Sequence, residues 1–321
     1  MTIPMHDQRD STDVPQPDVS KWAIGIDVGG TKIAGGVVNV VTGAISSRRI
    51  IPTAPERGGE AVLDDAVALA ADLGCAADRA GHVVTGIGIG VAELVDVQGT
   101  IQSNHVIGWY GLPIHERFAA IAPVTIEADV RAAACAEARF GTGRSFRTFA
   151  YIAVGTGISS CLVLDGKPYP GARGNALVLA SGPLDMTCSR CGARSRSILE
   201  EIASGPALAS RYGGVIGHAV SGAEAVTAAA ASGDPAAREI VESAAAALGN
   251  SAGLLVNILD PEALIIGGGL GVSGGLYWES LVASIREHIW SSSTRELPIL
   301  PAAFKGESGL IGAALATRLG L

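Results

Sequence analysis

A strand–glycine–strand unit occurs twice in this chain and constrains its fold more than any other sequence feature. The first copy is IGIDVGGTKIAGGVV at residues 24–38, and the second is YIAVGTGISSCLVL at residues 151–164. An offset of 126 positions aligns the two copies and pairs Gly29 with Gly155. Segments with helical spacing of apolar residues follow each copy. Two such units in one chain predict an α/β fold built from two related halves.

The glycines of the first copy require an explanation, because glycine is costly inside a strand. It loses more backbone entropy on folding than any other residue and packs no side chain. A tight hairpin with outward-facing glycine amides, however, lets the bare backbone reach a phosphate group that a side chain would block. A glycine-kinked edge hairpin without a ligand is the alternative. The residues predicted to bind ATP here are Asp27, Gly29, Gly30, Thr31 and Lys32.

Three of these residues carry polar groups that suit a phosphate chain. Lys32 adds a positive charge, Thr31 a hydroxyl group, and Asp27 an oxygen for a hydrated Mg²⁺ ion. Two other phosphate-binding geometries do not fit. The chain has no GxxxxGK[ST] string, and a dinucleotide fold needs a helix where residues 32–38 are predicted to form a strand.

A second glycine motif, at Gly269, Gly271 and Gly274, has the GxGxxG spacing of nicotinamide-binding enzymes. It follows the apolar strand ALII at residues 263–266. The acid that such a site needs, about 20 residues further on, would be Glu287, which falls within a predicted helix. We therefore interpret the motif as a glycine turn at a helix start, packed against the base or phosphates of a nucleotide.

Charge and cysteine content narrow the function classes. The chain has 23 basic and 31 acidic residues, and its net charge of −8 disfavours nucleic acid and anionic membranes as partners. No apolar run approaches the length of a membrane span. Residues 1–21 are polar, lack a signal-peptide core and are predicted to form a disordered tail. Five scattered cysteines suit reduced thiols and a cytoplasmic location.

Hydrophobic periodicity predicts the remaining elements. Further strands are predicted from Ile45 onward and at residues 83–91, 123–127 and 298–304. Helices are predicted at residues 58–75, 130–139, 198–211, 276–290 and 309–319, together with an alanine-rich helical stretch at 222–255.

Six segments of the chain occur in the order found in a known family. They are IGIDVGGTK, EADVRAAACAEARFGTG (127–143), AVGTGI (153–158), ASGPAL (203–208), IIGGGL (265–270) and SGLIGAA (308–314). They resemble the ROK family, bacterial sugar kinases and sugar-responsive repressors with the actin-like ATPase fold. The resemblance implies a ribonuclease H-like α/β fold with two domains around a cleft, where ATP and substrate meet. The N-terminal domain would comprise residues 22–128 plus 309–321, and the C-terminal domain residues 129–308.

The resemblance also implies roles within the cleft. Asp129 matches the catalytic base, a carboxylate that accepts the proton of the attacking hydroxyl group. Without the flanking motifs, an aspartate at a strand-to-helix junction is explained equally well as a helix N-cap and as a catalytic base. Two further turns would hold ATP: Gly155, Thr156 and Gly157, and Gly267, Gly268 and Gly269. Asn104, Asn175 and Glu200 would bind the substrate together with Asp129. A homodimer that uses ATP and Mg²⁺ is expected.

Several substrate-side positions depart from the family pattern. Ala128 and Arg131 replace two asparagines, and Asn175 replaces a glutamate that binds the sugar. The proline-glycine pair after the cleft strand is Ala92-Glu93 in this chain. The groups that serve phosphoryl transfer are retained, whereas those that contact the sugar ring have changed.

The family's zinc site is also incomplete. Its histidine is Val178, and Ile198 takes the place of its third cysteine. Cys188 and Cys191 remain, but two thiols make only half of a tetrahedral site, so we expect no zinc and assign no metal-ligating residue.

The altered sugar contacts predict a specialised substrate. A missing partner for a buried hydroxyl group costs about 1–3 kcal/mol, so plain glucose should bind weakly. We therefore predict an ATP-dependent kinase for the primary hydroxyl of a modified hexose, an amino sugar or a C7-cyclitol, of specialised metabolism such as antibiotic biosynthesis. Ordinary glucokinase, N-acetylhexosamine kinase and a non-catalytic sugar-binding regulator remain alternatives. The few residues before the first strand do not suffice for a DNA-binding domain, and retention of Asp27 and Asp129 argues for catalysis.

Overall fold

Two five-stranded β-sheets with the same strand arrangement form the framework of the protein. The computed structural model describes residues 22–187, 192 and 194–319. Its strands are β1 Trp22–Val28, β2 Lys32–Asn39, β3 Ile45–Pro52, β4 Val84–Val91, β5 Val124–Ala128, β6 Thr148–Val154, β7 Ile158–Leu164, β8 Lys167–Pro168, β9 Pro183–Thr187, β10 Arg194–Ile198, β11 Ala263–Gly267 and β12 Ile299–Pro301. The first sheet has the order β3-β2-β1-β4-β5, and the second β12-β11-β6-β7-β8. In each, three antiparallel strands continue into two parallel ones.

The predicted internal repeat is confirmed by the two hairpins. Strands β1 and β6 begin 126 positions apart and end 126 positions apart, and β2 and β7 begin at the same offset. Each hairpin supplies the central strand of its sheet, next to the first parallel neighbour. The turn of each hairpin therefore lies at the end of a central strand, where α/β sheets bind ligands.

Helices cover the sheets. They are α1 Gly59–Arg79, α2 Ile114–Phe118, α3 Asp129–Arg139, α4 Glu200–Ala203, α5 Gly205–Ile216, α6 Ala223–Ala231, α7 Pro235–Leu259, α8 Gly275–His288 and α9 Ser308–Leu319. The predicted helices that correspond to α1, α3, α8 and α9 are confirmed, although α1 continues past residue 75. No helix in the described part of the chain is both long and apolar enough to span a bilayer.

Two helix predictions were wrong in detail, because capping residues interrupt the apolar pattern. The helix predicted from residue 198 starts only after β10 and breaks at Ser204, whose hydroxyl accepts a hydrogen bond from the Ala207 amide. The stretch at 222–255 is two helices, separated where Asp234 accepts from the Ala237 amide ahead of α7. Both are N-caps followed by a proline in the first turn.

The β9–β10 hairpin was missed by the sequence analysis. Its two antiparallel strands pair Thr187 with Arg194 and Pro183 with Ile198. The strands are short and polar, so they lack the apolar alternation that predicts a strand. Cys188 and Cys191, on which the zinc prediction depends, lie outside the described residues.

Helix α9 joins the first sheet to α3 through close backbone contacts at glycines. A Cβ atom at Gly25 of β1 would lie 1.9 Å from the Leu310 carbonyl oxygen, and one at Gly88 of β4 would lie 1.7 Å from that of Ala313. A Cβ at Gly312 would lie 1.6 Å from the carbonyl oxygen of Ala132 in α3. The last helix thus packs against the first sheet, as the resemblance implies, while the domain limits stay predictions.

Candidate active site

The turns of the two repeated hairpins face each other. The hydroxyl oxygens of Thr31 and Thr156 are 3.5 Å apart. Gly29 closes the first turn by donating its amide to the Lys32 carbonyl at 3.1 Å, and Gly155 closes the second by donating to the Gly157 carbonyl at 2.9 Å. The prediction that the glycine amides face outward is therefore wrong for these two residues.

The amides that remain for a ligand follow the two turn-closing glycines. Among the described residues, the amides of Gly30 and Thr31 in the first turn have no hydrogen-bond acceptor, and the same holds for Thr156 and Gly157 in the second. Thr53 supports the first turn, since its hydroxyl donates to the Gly29 carbonyl at 2.6 Å. Sequence reasoning missed Thr53, because a threonine after a strand gives no signal of such a contact.

The third glycine turn lies against the second. A Cβ atom at Gly268 would lie 2.3 Å from the Val154 carbonyl oxygen, and φ of Gly268 is +78°, so no other residue fits there. A Cβ at Gly155 would lie 3.8 Å from the Gly269 amide nitrogen. Gly271 and Gly274 precede α8, and Glu287 lies within that helix, which agrees with a glycine turn rather than a dinucleotide fold. The three turns lie together, and because they are the part of the candidate site that the sequence predicts to bind ATP, we call them the nucleotide side.

Two carboxylates lie close together beside the turns. Asp27, the penultimate residue of β1, lies against the start of α9, where a Cβ at Gly309 would lie 2.4 Å from its carboxylate. Burial raises the pKa of Asp27 to about 6, against the opposing effect of the Lys32 charge. Burial also raises the pKa of Asp129 to about 7, and the charge of Asp27 adds to this shift.

Asp129 is not an N-cap. The N-cap of α3 is Ala128, which has no capping side chain, and Asp129 is the first helical residue. Its carboxylate accepts a hydrogen bond from the adjacent Val130 amide at 2.6 Å. A carboxyl group with a pKa near 7 can accept and release a proton at neutral pH, as a general base requires.

Glu200 lies against the second hairpin turn. Its carboxylate accepts a hydrogen bond from the Ile158 amide at 2.8 Å, and a Cβ at Gly157 would lie 2.8 Å from it. Glu200, which the resemblance assigns to substrate binding, therefore lies in direct contact with the second hairpin turn.

Asn104 lies on a loop that the buried carboxylate of Glu93 holds. Glu93 accepts hydrogen bonds from the hydroxyl of Ser103 and from the amides of His105, Val106 and Ile107, the last three at 2.9, 2.7 and 2.9 Å. Burial alone would raise the pKa of Glu93, but these hydrogen bonds outweigh it and hold the pKa below its ordinary value.

The loop of Asn104 also contacts the nucleotide side. A Cβ atom at Gly30 would lie 2.9 Å from the Val106 side chain. Sequence analysis recorded Glu93 only as a departure from the family and missed its role in the loop. The one signal was a carboxylate inside an apolar segment, GVAELV.

Asn175 lies in the segment that follows β8. It is exposed and comes directly after the buried Gly174. A Cβ atom at Gly174 would lie 2.0 Å from the Val95 carbonyl oxygen, so this segment lies directly on the chain that follows β4. Asn104 and Asn175 are thus held by neighbouring parts of the chain after β4, although no direct contact joins the two residues.

Comparisons with known proteins match this architecture. The model of the ROK family matches residues 23–318. The glucokinase of Streptomyces coelicolor is 31% identical over 317 residues, covering 91% of this chain and 96% of the relative. The N-acetylmannosamine kinase of Vibrio vulnificus is 30% identical over 257 residues, covering 78% and 84%. The crystal structure of a ROK family glucokinase from Streptomyces griseus, in complex with glucose and AMPPNP, has a TM-score of 0.74 at 30% identity and covers 91% of this chain and 98% of that one.

Fold and relatives define an ATP-dependent phosphotransferase with the actin-like ATPase fold. The two sheets with paired turns are the framework of that fold. The chain belongs to the ROK family, and the resemblance inferred from its six segments is confirmed.

Proposed function

We propose that this chain transfers the γ-phosphoryl group of ATP to the primary hydroxyl group of a hexose-like substrate. The observation that carries the proposal is the position of Asp129, a carboxylate with a raised pKa that lies beside Asp27 and near the loop held by Glu93. The relatives of this chain support its assignment as a sugar kinase, since they are glucokinases and N-acetylmannosamine kinases.

In the proposed mechanism, Asp129 accepts the proton of the substrate hydroxyl as its oxygen attacks the γ-phosphorus. The bond from that phosphorus to the bridging oxygen breaks, and ADP leaves. Positioning and electrostatic stabilisation supply most of the rate in such reactions. The free turn amides and the Lys32 ammonium group supply that stabilisation for the phosphate oxygens.

The residues present fit a magnesium ion. Among the described residues, no hydrogen bond reaches the Asp27 carboxylate, and no cluster of three ligating side chains exists that would form a dedicated metal cage. Mg²⁺ typically binds one or two carboxylates together with substrate phosphates, so Asp27 would hold it, with Asp129 nearby. When bound, it neutralises negative charge on the phosphates.

We further propose a modified hexose, an amino sugar or a C7-cyclitol of specialised metabolism such as antibiotic biosynthesis, as the substrate. Support comes from Ala128, which offers no hydrogen bond, and from Asn175, which offers no charge. Arg131 does not replace the lost amide, because its guanidinium group is bound by the protein itself. Ordinary glucokinase and N-acetylhexosamine kinase activities remain the alternatives, given the relatives.

The test is ADP release with glucose, N-acetylmannosamine, N-acetylglucosamine, glucosamine and a C7-cyclitol, each with Mg²⁺ and ATP. We expect turnover of at least one compound and a kcat/KM for glucose well below the best value. Turnover of none would favour a non-catalytic sugar-binding regulator, which isothermal titration with Mg-ATP would then examine. A highest kcat/KM for glucose would refute the specialised substrate but not the kinase.

A homodimer and a cytoplasmic location stay proposals. The apolar side chains of Leu254, Ile258 and Trp290 are exposed near one another at the C-terminal end of α7, which supports self-association. Cys75, Cys135 and Cys161 are free thiols, which suits a reducing compartment. Light scattering of the wild type and of Trp290→Glu would test the dimer, with a monomeric wild type as the contradicting result.

A further inference from the structure

Arg131 is a buried charge that the proposed phosphoryl transfer does not use. Its exposed fraction is 5%, and that of Glu127, its partner in an ion pair, is 4%. The Nε atom donates to the Glu127 carboxylate at 2.5 Å. The pair satisfies the charge of each partner, so the arginine does not need a ligand to be tolerated in the interior.

The remaining donors of Arg131 reach two distant parts of the chain. One terminal nitrogen donates to the Gly174 carbonyl at 2.6 Å, and the other to the Val95 carbonyl at 2.8 Å. These acceptors lie 43 and 36 positions away in sequence. A single guanidinium group thus connects the end of β5, the segment after β4 and the segment that carries Asn175. The planar fork of arginine can do this, whereas the single nitrogen of lysine cannot.

The contact at Gly174 is too close for any other residue. Its φ angle is +83°, and an added Cβ would lie 2.6 Å from the Asp96 Cα atom as well as 2.0 Å from the Val95 oxygen. On its other side, the segment is held by the Ser160 hydroxyl, which donates to the Leu177 carbonyl at 2.6 Å. Residues 171–177 are therefore fixed from both sheets, and Arg131 is the polar contact on the side of the first sheet.

Arg131 lies two residues after Asp129 on the first turn of α3. Because Gly174 precedes Asn175, this side chain links the helix turn that carries the proposed base to the proposed substrate-binding segment. We propose that Arg131 is a positioning residue that holds residues 171–177, and with them the bound substrate, in register with Asp129. The kinetic consequence of this inference rests on the proposed kinase function, while its structural consequence does not.

The first test compares Arg131→Lys with the matched control Arg139→Lys, an exposed arginine at the end of the same helix. The probe is glucose, or the compound of the substrate panel with the highest kcat/KM if that is not glucose. For Arg131→Lys we expect the KM for this compound to rise about tenfold or more, because the segment that carries Asn175 loses the contact that fixes it and therefore contributes less to substrate binding. The KM for ATP should stay within about twofold, since no turn of the nucleotide side contacts Arg131, and kcat should fall less than the substrate KM rises.

The second test needs no substrate. Hydrogen–deuterium exchange of the ligand-free protein should become at least about tenfold faster in peptides covering residues 171–177 of Arg131→Lys, because the segment loses a fixing contact. Exchange in the β1–β2 hairpin should stay unchanged, as should both regions in Arg139→Lys. Faster exchange in a protein whose wild type turns over no compound would refute the kinase but would still support the structural part of the inference, that Arg131 fixes residues 171–177.

Gly174→Ala serves as a second variant in case Arg131→Lys does not fold. It leaves the Arg131–Glu127 pair intact and displaces the same segment by steric contact. We expect the same rise in substrate KM with an unchanged ATP KM. Unchanged exchange and unchanged substrate KM in either variant would overturn the proposal. An equal rise in both KM values would also overturn it, because that pattern marks a general structural role.

Discussion

The proposed nucleotide side and the proposed substrate side of the cleft are built by different means. On the nucleotide side, three glycine turns present backbone amides, and each repeated turn is closed by a contact between residues at most three positions apart. On the substrate side, buried charges hold the loops: Glu93 fixes the loop of Asn104, and Arg131 fixes the segment of Asn175. If the two sides bind as proposed, backbone geometry holds the phosphate chain, while side-chain networks shape the part of the site that distinguishes one substrate from another.

This difference has a physical reason. Every nucleoside triphosphate presents the same phosphate oxygens, so a rigid turn with free amides is sufficient to bind them. A sugar-like ring presents hydroxyl groups whose arrangement varies, and a loop anchored by a few side chains can be altered without changing the sheets. The comparison predicts that changes on the two sides separate kinetically.

The largest effect is expected for Asp129→Asn, which removes the base shared by both sides. We expect kcat to fall about a thousandfold, within the range for loss of a general base, because asparagine cannot accept the proton. The thermal midpoint should not fall, since asparagine avoids burying a charge. Steady-state ADP release and calorimetry measure the two quantities, and Asp78→Asn, on the exposed face of α1, is the control.

The same residue predicts a pH dependence. Asp129 must be ionised to act as a base, and its pKa is raised to about 7. The kcat/KM of the wild type should therefore fall as the pH decreases below about 7 and level off above it. An undiminished rate in Asp129→Asn, or a flat profile between pH 6 and pH 8, would remove Asp129 from the mechanism.

Gly269→Ala tests the nucleotide side alone. No atom lies within 4 Å of a Cβ built at Gly269, so the protein should fold normally. If this turn binds the phosphates as proposed, the added methyl group would occupy space that they need. We expect the KM for ATP to rise about tenfold, or ~1.4 kcal/mol, with little change in the substrate KM. Gly214→Ala in α5 has equally open surroundings and should change neither value. A normal ATP KM in Gly269→Ala would refute the role of bare backbone in this turn.

Glu93→Gln tests the substrate side. The amide group of glutamine cannot accept from all four donors, so the free energy of unfolding should fall by about 2 kcal/mol. The substrate KM should rise severalfold through the loop of Asn104, and the ATP KM should change less. Chemical denaturation measures the free energy of unfolding, and steady-state kinetics measure the two KM values. Glu116→Gln, on the exposed surface of α2, is the control.

The sign of the pH effect at Glu93 follows from its depressed pKa. The stabilisation by Glu93 is fully present above its ordinary pKa of 4.5 and is lost as the pH falls through the lower value in the folded protein. The stability difference between wild type and Glu93→Gln should therefore shrink below pH 4.5. A difference that stays constant down to pH 3 would contradict the hydrogen-bonded carboxylate.

The smallest effect is expected outside the cleft. Arg238 and Glu242 form an exposed pair one turn apart on α7, with 3.1 Å between their atoms. Arg238→Ala should lower the free energy of unfolding by less than about 0.5 kcal/mol and leave both KM values unchanged. A loss of unfolding free energy as large as that expected for Glu93→Gln would contradict the comparison. It would mean that the buried charges on the substrate side contribute no more to stability than an exposed ion pair.

The sequence predicted the nucleotide side better than the substrate side. The hairpins, their offset and the start of α3 depend on neighbouring residues, so strand patterning and glycine spacing revealed them. Apart from Glu127, which lies one helical turn from Arg131, the partners of Glu93 and Arg131 lie 10 to 43 positions away, and no local pattern encodes them. The helix breaks at Ser204 and Asp234 have a local cause, an N-cap followed by proline, which the apolar periodicity alone does not reveal. Local sequence patterns therefore predicted the hairpin turns, whereas the long-range contacts of Glu93 and Arg131 could be found only in the structure.

The place of Gly309 beside Asp27 has a consequence for biosynthesis. The first strand of the chain needs the last helix to cover its sheet and to enclose its carboxylate, and these parts are separated by almost the whole polypeptide. A nascent chain still lacking residues 308–319 cannot assemble a working cleft, however well its earlier hairpins have formed. We therefore expect kinase activity only in chains that include the final helix, and none in nascent chains that end before it.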